Sequence, residues 1–267
     1  MKKPRTKLIA VLLSFCLLLS VIVLLLFCLL LSSCSKNLKN YFYTEESLKR
    51  VAAKALKVKY DEEFEIYDAW VESPSTFHVI CWPHYDVDII FEAEVYKDGS
   101  GVYEDEYVKA IVSKQISELL QLKLQKVFEE CYVKVSFSWY RPSIDYFKGV
   151  TVEDYYREHE DASFYLQIFV NEENLIYDED KVLEEFECLS SLLDDELMRE
   201  AGCRCYFVDE NTLNECKEYF QQDSKARGNF DYIIDDKAYF GFGFLEGKIN
   251  KTFEEYNEIR KEVKTNE

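Results

Sequence analysis

Glycine, proline, histidine and methionine are scarce in this chain, at eight, four, three and two of 267 residues. A loop that cradles phosphate through backbone N–H groups needs several glycines close together. Gly241-Phe242-Gly243 lacks a third glycine and lies in an aromatic run, where close packing accounts for it. The Gly-x-Ser-x-Gly elbow of serine hydrolases is missing, as is the calcium loop of alternating Asp or Asn about a central Gly. With so few histidines, His78, Cys81 and His84 form the one group resembling a metal site, with Asp86 and Asp88 as helpers. Period-two geometry puts His78 and Cys81 on opposite strand faces, so the ligands do not converge as zinc requires, and a strand ending in a proline turn explains them. His159 sits in the charged run 157–161 and reads as a solvated helix end.

Acidic residues are the opposite case. Carboxylate pairs recur throughout, as in Glu104-Asp105-Glu106 and Asp178-Glu179-Asp180, so no single pair points to acid–base chemistry. The sequence therefore assigns no catalytic, cofactor-binding or metal-binding residue, and no cofactor is expected. The formal net charge is −19. Residues 1–34 carry only basic charges, Lys2, Lys3, Arg5 and Lys7. Of the 32 Lys and Arg, 28 then face 51 Asp and Glu in the remainder, a net −23. Such a surface repels phosphate backbones, which excludes nucleic acid as a partner.

Residues 8–31 form an uncharged apolar run behind that basic stretch, long enough to cross a bilayer. It ends in Leu31-Ser32-Ser33-Cys34, which resembles the lipobox of bacterial lipoproteins. That resemblance implies a chain cleaved before Cys34, with Cys34 lipidated and the rest held on the extracytoplasmic face of the cell membrane. The alternative is an uncleaved single-pass transmembrane anchor, because the run exceeds the apolar length usual in signal peptides. Lys36, Lys39, Lys49 and Arg50 make the second flank basic as well, so charge alone does not fix orientation. The Cys34 motif decides it.

The fold class predicted is α+β, with two small helix-on-antiparallel-sheet domains after the N-terminal anchor. Residues 35–43 read as a tether, 44–131 as the first domain and 132–267 as the second. Thr44 offers a helix N-cap before Leu48, Val51, Ala52, Ala55 and Leu56 at helical spacing. Three strands follow by alternation, at Phe64 and Ile66, at 77–81 and at 87–95, the last ending at Asp98-Gly99. A long helix is expected over 104–131. Ala52-Ala53-Lys54-Ala55-Leu56, the run 59–66 and Ile90 to Val95 together resemble the PepSY and cystatin-like modules of exported, uncharacterised proteins of Gram-positive bacteria. That likeness covers about 60 residues, implies an exported accessory or binding module and transfers no functional residue.

In the second half, Val133, Val135, Phe137 and Trp139 alternate with polar residues up to Arg141-Pro142. Phe164, Leu166 and Ile168 mark another strand. A helix is expected over 178–200, with Leu183, Leu193 and Leu197 among its inward residues and Gly202 as its C-cap. Further predicted elements are a strand at 203–208, a helix at 211–221, strands around 230–234 and 238–245, and a last helix whose capping box is Thr252 with Glu255. Of six cysteines beyond Cys34, Cys203 and Cys205 share a strand face; buried free thiols are the expected reading, ahead of disulfides or a metal site.

The one compositional excess is aromatic, with 20 Tyr and 19 Phe. Tyr132, Tyr140, Tyr165 and Tyr206 alternate with core positions, so they are expected on an outer face. Exposed tyrosines suit protein or glycan recognition. The function expected is thus a membrane-anchored extracytoplasmic binding or accessory protein. The alternative is an extracytoplasmic enzyme using carboxylates or a cryptic metal.

Overall fold

A computed structural model describes residues 43–137, 148–159, 163–192, 200–221, 233–234, 237–245 and 248–265. The apolar run 8–31, Cys34, Tyr140, Arg141-Pro142, Leu193, Leu197 and residues 230–232 of the strand expected around 230–234 lie outside these; Ile233 and Ile234, which are described, are helical and not in a strand. Among the described residues no helix is long and apolar enough to cross a membrane.

The architecture is α+β. The described elements are α1 (Glu45–Tyr60), β1 (Phe64–Trp70), β2 (Thr76–Pro83), β3 (Phe91–Tyr96), β4 (Val102–Asp105), α2 (Tyr107–Leu124), β5 (Cys131–Phe137), α3 (Val152–Glu158), β6 (Ser163–Asn171), α4 (Glu179–Ser190), β7 (Glu200–Val208), α5 (Glu210–Gln221), β8 (Tyr239–Leu245), β9 (Lys248–Ile249) and α6 (Phe253–Thr265). Two sheets result, of order β1-β2-β3-β4 and β5-β6-β7-β8-β9, both within one compact unit, residues 49–267.

Thr44 caps α1 as expected, its Oγ1 accepting from Ser47 N at 3.2 Å. The first sheet is an antiparallel meander. Its inward residues Phe77, Val79, Cys81, Ala93 and Val95 are buried. Complete burial of such a Val or Phe stabilises by roughly 1.5–3 kcal/mol. Three strands were expected here, and the structure adds a fourth. Gly99, at φ +75°, closes the β3–β4 turn, a left-handed position that glycine adopts without a Cβ penalty. The chain then returns far enough for Asp105 to pair with Ala93.

That pairing shortens the helix expected over 104–131. Asp105 stays in β4 while its carboxylate accepts from Tyr107 N at 3.0 Å, and α2 begins there. The strand expected over 87–95 also starts later, at Phe91. Asp86 N bonds Pro83 O and Ile89 N bonds Asp86 O, so 83–89 is a turn that leaves Val87 62% exposed.

In the second sheet β5 and β6 run antiparallel, β6 and β7 parallel through α4, and β7, β8 and β9 antiparallel in turn. One face is apolar, built from Val133, Val135, Leu166, Ile168, Cys203, Cys205, Phe240 and Phe242, all buried. The other is covered at one end by α5, where Tyr132, Phe169, Tyr206, Leu213, Cys216 and Phe220 pack together. Tyr206 therefore departs from expectation: it points to the outer face but is buried by a helix laid across it.

The helix expected over 178–200 stops at Ser190, with Ser191 at its C-cap, and Gly202 is not a helix cap. Instead Gly202 sits inside β7, between Tyr165 and Gly243. Leu183, expected inward, is 40% exposed, and Glu185 is buried in its stead. The reason is an internal ion pair. Glu185 accepts from Arg260 Nε at 2.7 Å and from Tyr256 OH at 2.7 Å, joining α4 to α6. The Thr252–Glu255 capping box is present.

Candidate functional site

The cross-strand register arranges the outer face of the second sheet in rows. Tyr165 lies beside Gly202 and Gly243, Gln167 beside Arg204 and Gly241, and Phe169 beside Tyr206 and Tyr239. Side chains on one face stand two residues apart along a strand, so Arg204 falls between the tyrosine rows. The glycines clear the floor around it. A Cβ at Gly202 would lie 3.3 Å from Tyr165 Cδ2, and one at Gly241 would lie 3.3 Å from Tyr239 Cε2. Both rings occupy space that larger residues would fill, and both converge on the guanidinium. Arg204 Cζ is 5.7 Å from the Tyr165 ring centroid and 5.6 Å from that of Tyr239, within cation–π range.

Arg204 is exposed and Tyr239 is 48% exposed, so the assembly faces solvent. Its polar anchor is Tyr206, whose OH is 3.4 Å from Arg204 Nη1. Arg204 is held above its ordinary value, chiefly by that hydrogen bond, with Tyr165 and Tyr239 adding to it. Burial raises the Tyr165 hydroxyl, which stays neutral. Among the described residues no carboxylate pairs with Arg204, although the chain carries 51. An exposed guanidinium held in place by one donor on Tyr206, and with no carboxylate on its others among the described residues, can take a carboxylate in a two-point geometry.

A second concave feature runs beside α2 and the edge strand β5, with a volume of about 950 Å³. Ile80, Glu92, Glu106, Lys109, Gln121 and Lys134 are among its lining residues. The β5 edge is partly satisfied from α2, since Gln121 Nε2 donates to Cys131 O at 2.7 Å and Ser117 Oγ accepts from Val135 N at 3.2 Å. Burial raises the Glu106 carboxyl, partly offset by Lys109.

The residues singled out in the sequence do not assemble into a metal site. His78 Nδ1 is 2.7 Å from Glu92 and its Nε2 is 3.4 Å from Glu72, while its ring stacks on Trp70. Cys81 is buried on the other side. His84 lies 3.5 Å from Glu65, and Asp86 and Asp88 are engaged by Lys114. Among the described residues no three His, Cys, Asp or Glu side chains group to hold a metal ion.

His159 is a helix end, the C-cap of α3, but not a solvated one. It packs 5.0 Å from the Tyr155 ring, and its buried Nε2 has no hydrogen-bond partner among the described residues. Cys203 and Cys205 share a face, as expected, and it is the apolar one. All six described cysteines are free. Burial raises each thiol, Cys131 and Cys216 to about 12, so they stay protonated and poorly nucleophilic. Sequence reading missed Arg204 altogether. Its signal was a lone cation between Cys203 and Cys205 on a strand that is apolar or aromatic from Ala201 onward apart from it.

The fold and this face define an α+β protein with two helix-flanked sheets and an open aromatic–arginine platform on the larger one. No protein-family model and no curated protein matches the chain. Among solved structures, a DUF5037 family protein from Ruminococcus gnavus ATCC 29149 is similar, with a TM-score of 0.61 at 15% identity, covering 80% of this chain and 98% of that one. At this identity the likeness shows the fold alone.

Proposed function

We propose that the chain is a membrane-anchored extracytoplasmic binding or accessory protein that presents the outer face of its larger sheet to a ligand. One observation carries the reading: Arg204 is held between Tyr165 and Tyr239 on an open face with no carboxylate partner among the described residues. Rigid aromatic side chains and arginine are the residue types that concentrate binding energy at recognition surfaces. The anchor rests on the apolar run 8–31 and the lipobox-like Cys34. Intact mass of membrane-extracted protein tests it: a chain beginning at Cys34 with a diacylglyceryl adduct supports the lipid anchor, and an unmodified chain near 31.7 kDa supports a transmembrane one.

The face itself is tested with a photo-crosslinking residue at Tyr239 of the full chain in native membranes, and with the same residue at Tyr103 on the first sheet. Adducts confined to Tyr239 support the reading, and adducts confined to Tyr103 overturn it. An enzyme is the competing reading, and its best support is Glu106, a carboxyl raised by burial in the α2 groove. Glu106 lies close to Lys109, at 3.7 Å, and among the described residues no histidine lines the groove.

A further inference from the structure

We infer that the Arg204 platform takes a sugar bearing a single carboxylate, uronic or sialic in type, with the carboxylate on the guanidinium and a C–H face of the ring against Tyr239. The inference rests on the binding-face reading and names its ligand class. Four observations lead to it.

First, the cation is exposed, aimed and without a carboxylate among the described residues of a strongly acidic chain, so the missing counter-charge comes from the ligand. Arginine's planar fork suits a carboxylate better than a lone acceptor. Second, the groups flanking it are aromatic rings, one of them about half exposed. A ring face carries negative π density and a broad apolar surface, which matches the C–H face of a pyranose.

Third, Arg204 stands on β7, the middle strand of five. A peptide that binds by strand addition needs free N–H and C=O groups at a sheet edge. Both edges of β7 are paired to β6 and β8, so a ligand here is read by side chains alone. Gln167, next to Arg204 in register, supplies an amide for hydroxyl groups. The space over Gly202 and Gly241 is taken by the Tyr165 and Tyr239 rings, which seats both rings beside the guanidinium.

Fourth, the net charge of −19 repels polyanions, which excludes highly sulfated or phosphorylated polymers and tolerates a single carboxylate engaged at short range.

Ligand-observed saturation-transfer NMR on the full chain in detergent tests this, using glucuronic acid and N-acetylneuraminic acid. Glucose and N-acetylglucosamine serve as neutral controls, and an acidic hexapeptide as the competing class. The expected result is millimolar binding of at least one acidic sugar, about tenfold tighter than the neutral controls. Arg204→Lys should weaken it about tenfold by removing the two-point geometry. Tyr239→Ala should weaken it about three- to tenfold by removing the stacking surface.

Equal signals from acidic and neutral sugars, or unchanged binding by Arg204→Lys, overturn the inference. Binding of the hexapeptide alone also overturns it and reassigns the platform to peptides. In each of these cases adducts at Tyr239 in membranes would leave the binding-face reading standing. Adducts at Tyr103 alone would remove both.

Discussion

The two sheets treat positive charge in opposite ways. On and around the first, cations are consumed: Lys59 pairs with Asp105 at 2.6 Å, and Lys114 is held by Asp86, Asp88 and Glu118. Behind the second sheet, Arg260 is buried on Glu185, whereas in front of it Arg204 meets only rings and a hydroxyl among the described residues. The contrast separates charges that hold the fold from a charge left available. In a chain this acidic, an exposed arginine with no carboxylate partner among the described residues is the observation on which the proposed binding face rests.

The largest effect that would sharpen this contrast lies at the buried pair. Arg260 is 1% exposed and Glu185 5% at the side chain, so Arg260→Met strands a carboxylate in the core. The expected loss is about 3–5 kcal/mol in urea unfolding of the full chain. Adding Glu185→Met removes the stranded charge and should restore most of it. If the single variant costs under about 1 kcal/mol, the pair does not hold α6 to α4.

Next in size is Asp105, which is buried and accepts from Tyr60 OH, Lys59 Nζ and Tyr107 N. Asp105→Ala removes the buried acceptor these donors share and should cost about 1–3 kcal/mol by the same measurement. The Tyr60, Phe64, Phe91 and Tyr107 rings, packed 4.8–5.8 Å apart, would keep the first sheet folded.

How far the sequence could be read follows the same division. Periodicity located the α+β class, most inward strand residues, the cap at Thr44 and the box at Thr252, because these depend on neighbours two to four residues away. It failed where a distant partner overrides local pattern. Glu185 takes the inward place assigned to Leu183 because Arg260, 75 residues on, neutralises it. Gly202 looked like a helix stop because glycine commonly is one, yet its lack of a Cβ serves the Tyr165 ring on the next strand. Tyr206 was placed outside correctly as to face, but no local signal says that α5 covers it. The platform itself was legible only as a tyrosine excess, since its centre is one arginine whose neighbours come from three strands.

A smaller, pH-dependent effect separates a structural charge from an available one. Asp209 caps α5 through Thr212 N at 2.8 Å and pairs with Lys237 at 2.9 Å. These hold its carboxyl down at about 2, the Lys237 hydrogen bond contributing most. Its folded value lies below the ordinary 3.8, so its stabilisation is complete above about pH 4 and is lost as pH falls toward 2. Asp209→Ala should cost about 1 kcal/mol at pH 7, and the gap to the parent chain should close across that acid range.

The smallest expected effect bears most directly on the comparison. Arg204→Gln removes an exposed cation with no carboxylate partner among the described residues, so stability should change by less than about 0.5 kcal/mol. Lys114→Gln removes a cation held by three carboxylates, and Asp86, a quarter exposed at its side chain, loses its partner. It should cost more, and more at low salt than at high, because attraction between partly exposed charges is screened. Parallel urea titrations of the two variants at two salt concentrations decide the matter. A cost at Arg204 equal to or above that at Lys114 would mean that the guanidinium braces Tyr165 and Tyr239 as part of the fold. The platform would then be packing rather than a recognition surface, and the two sheets would no longer differ in kind.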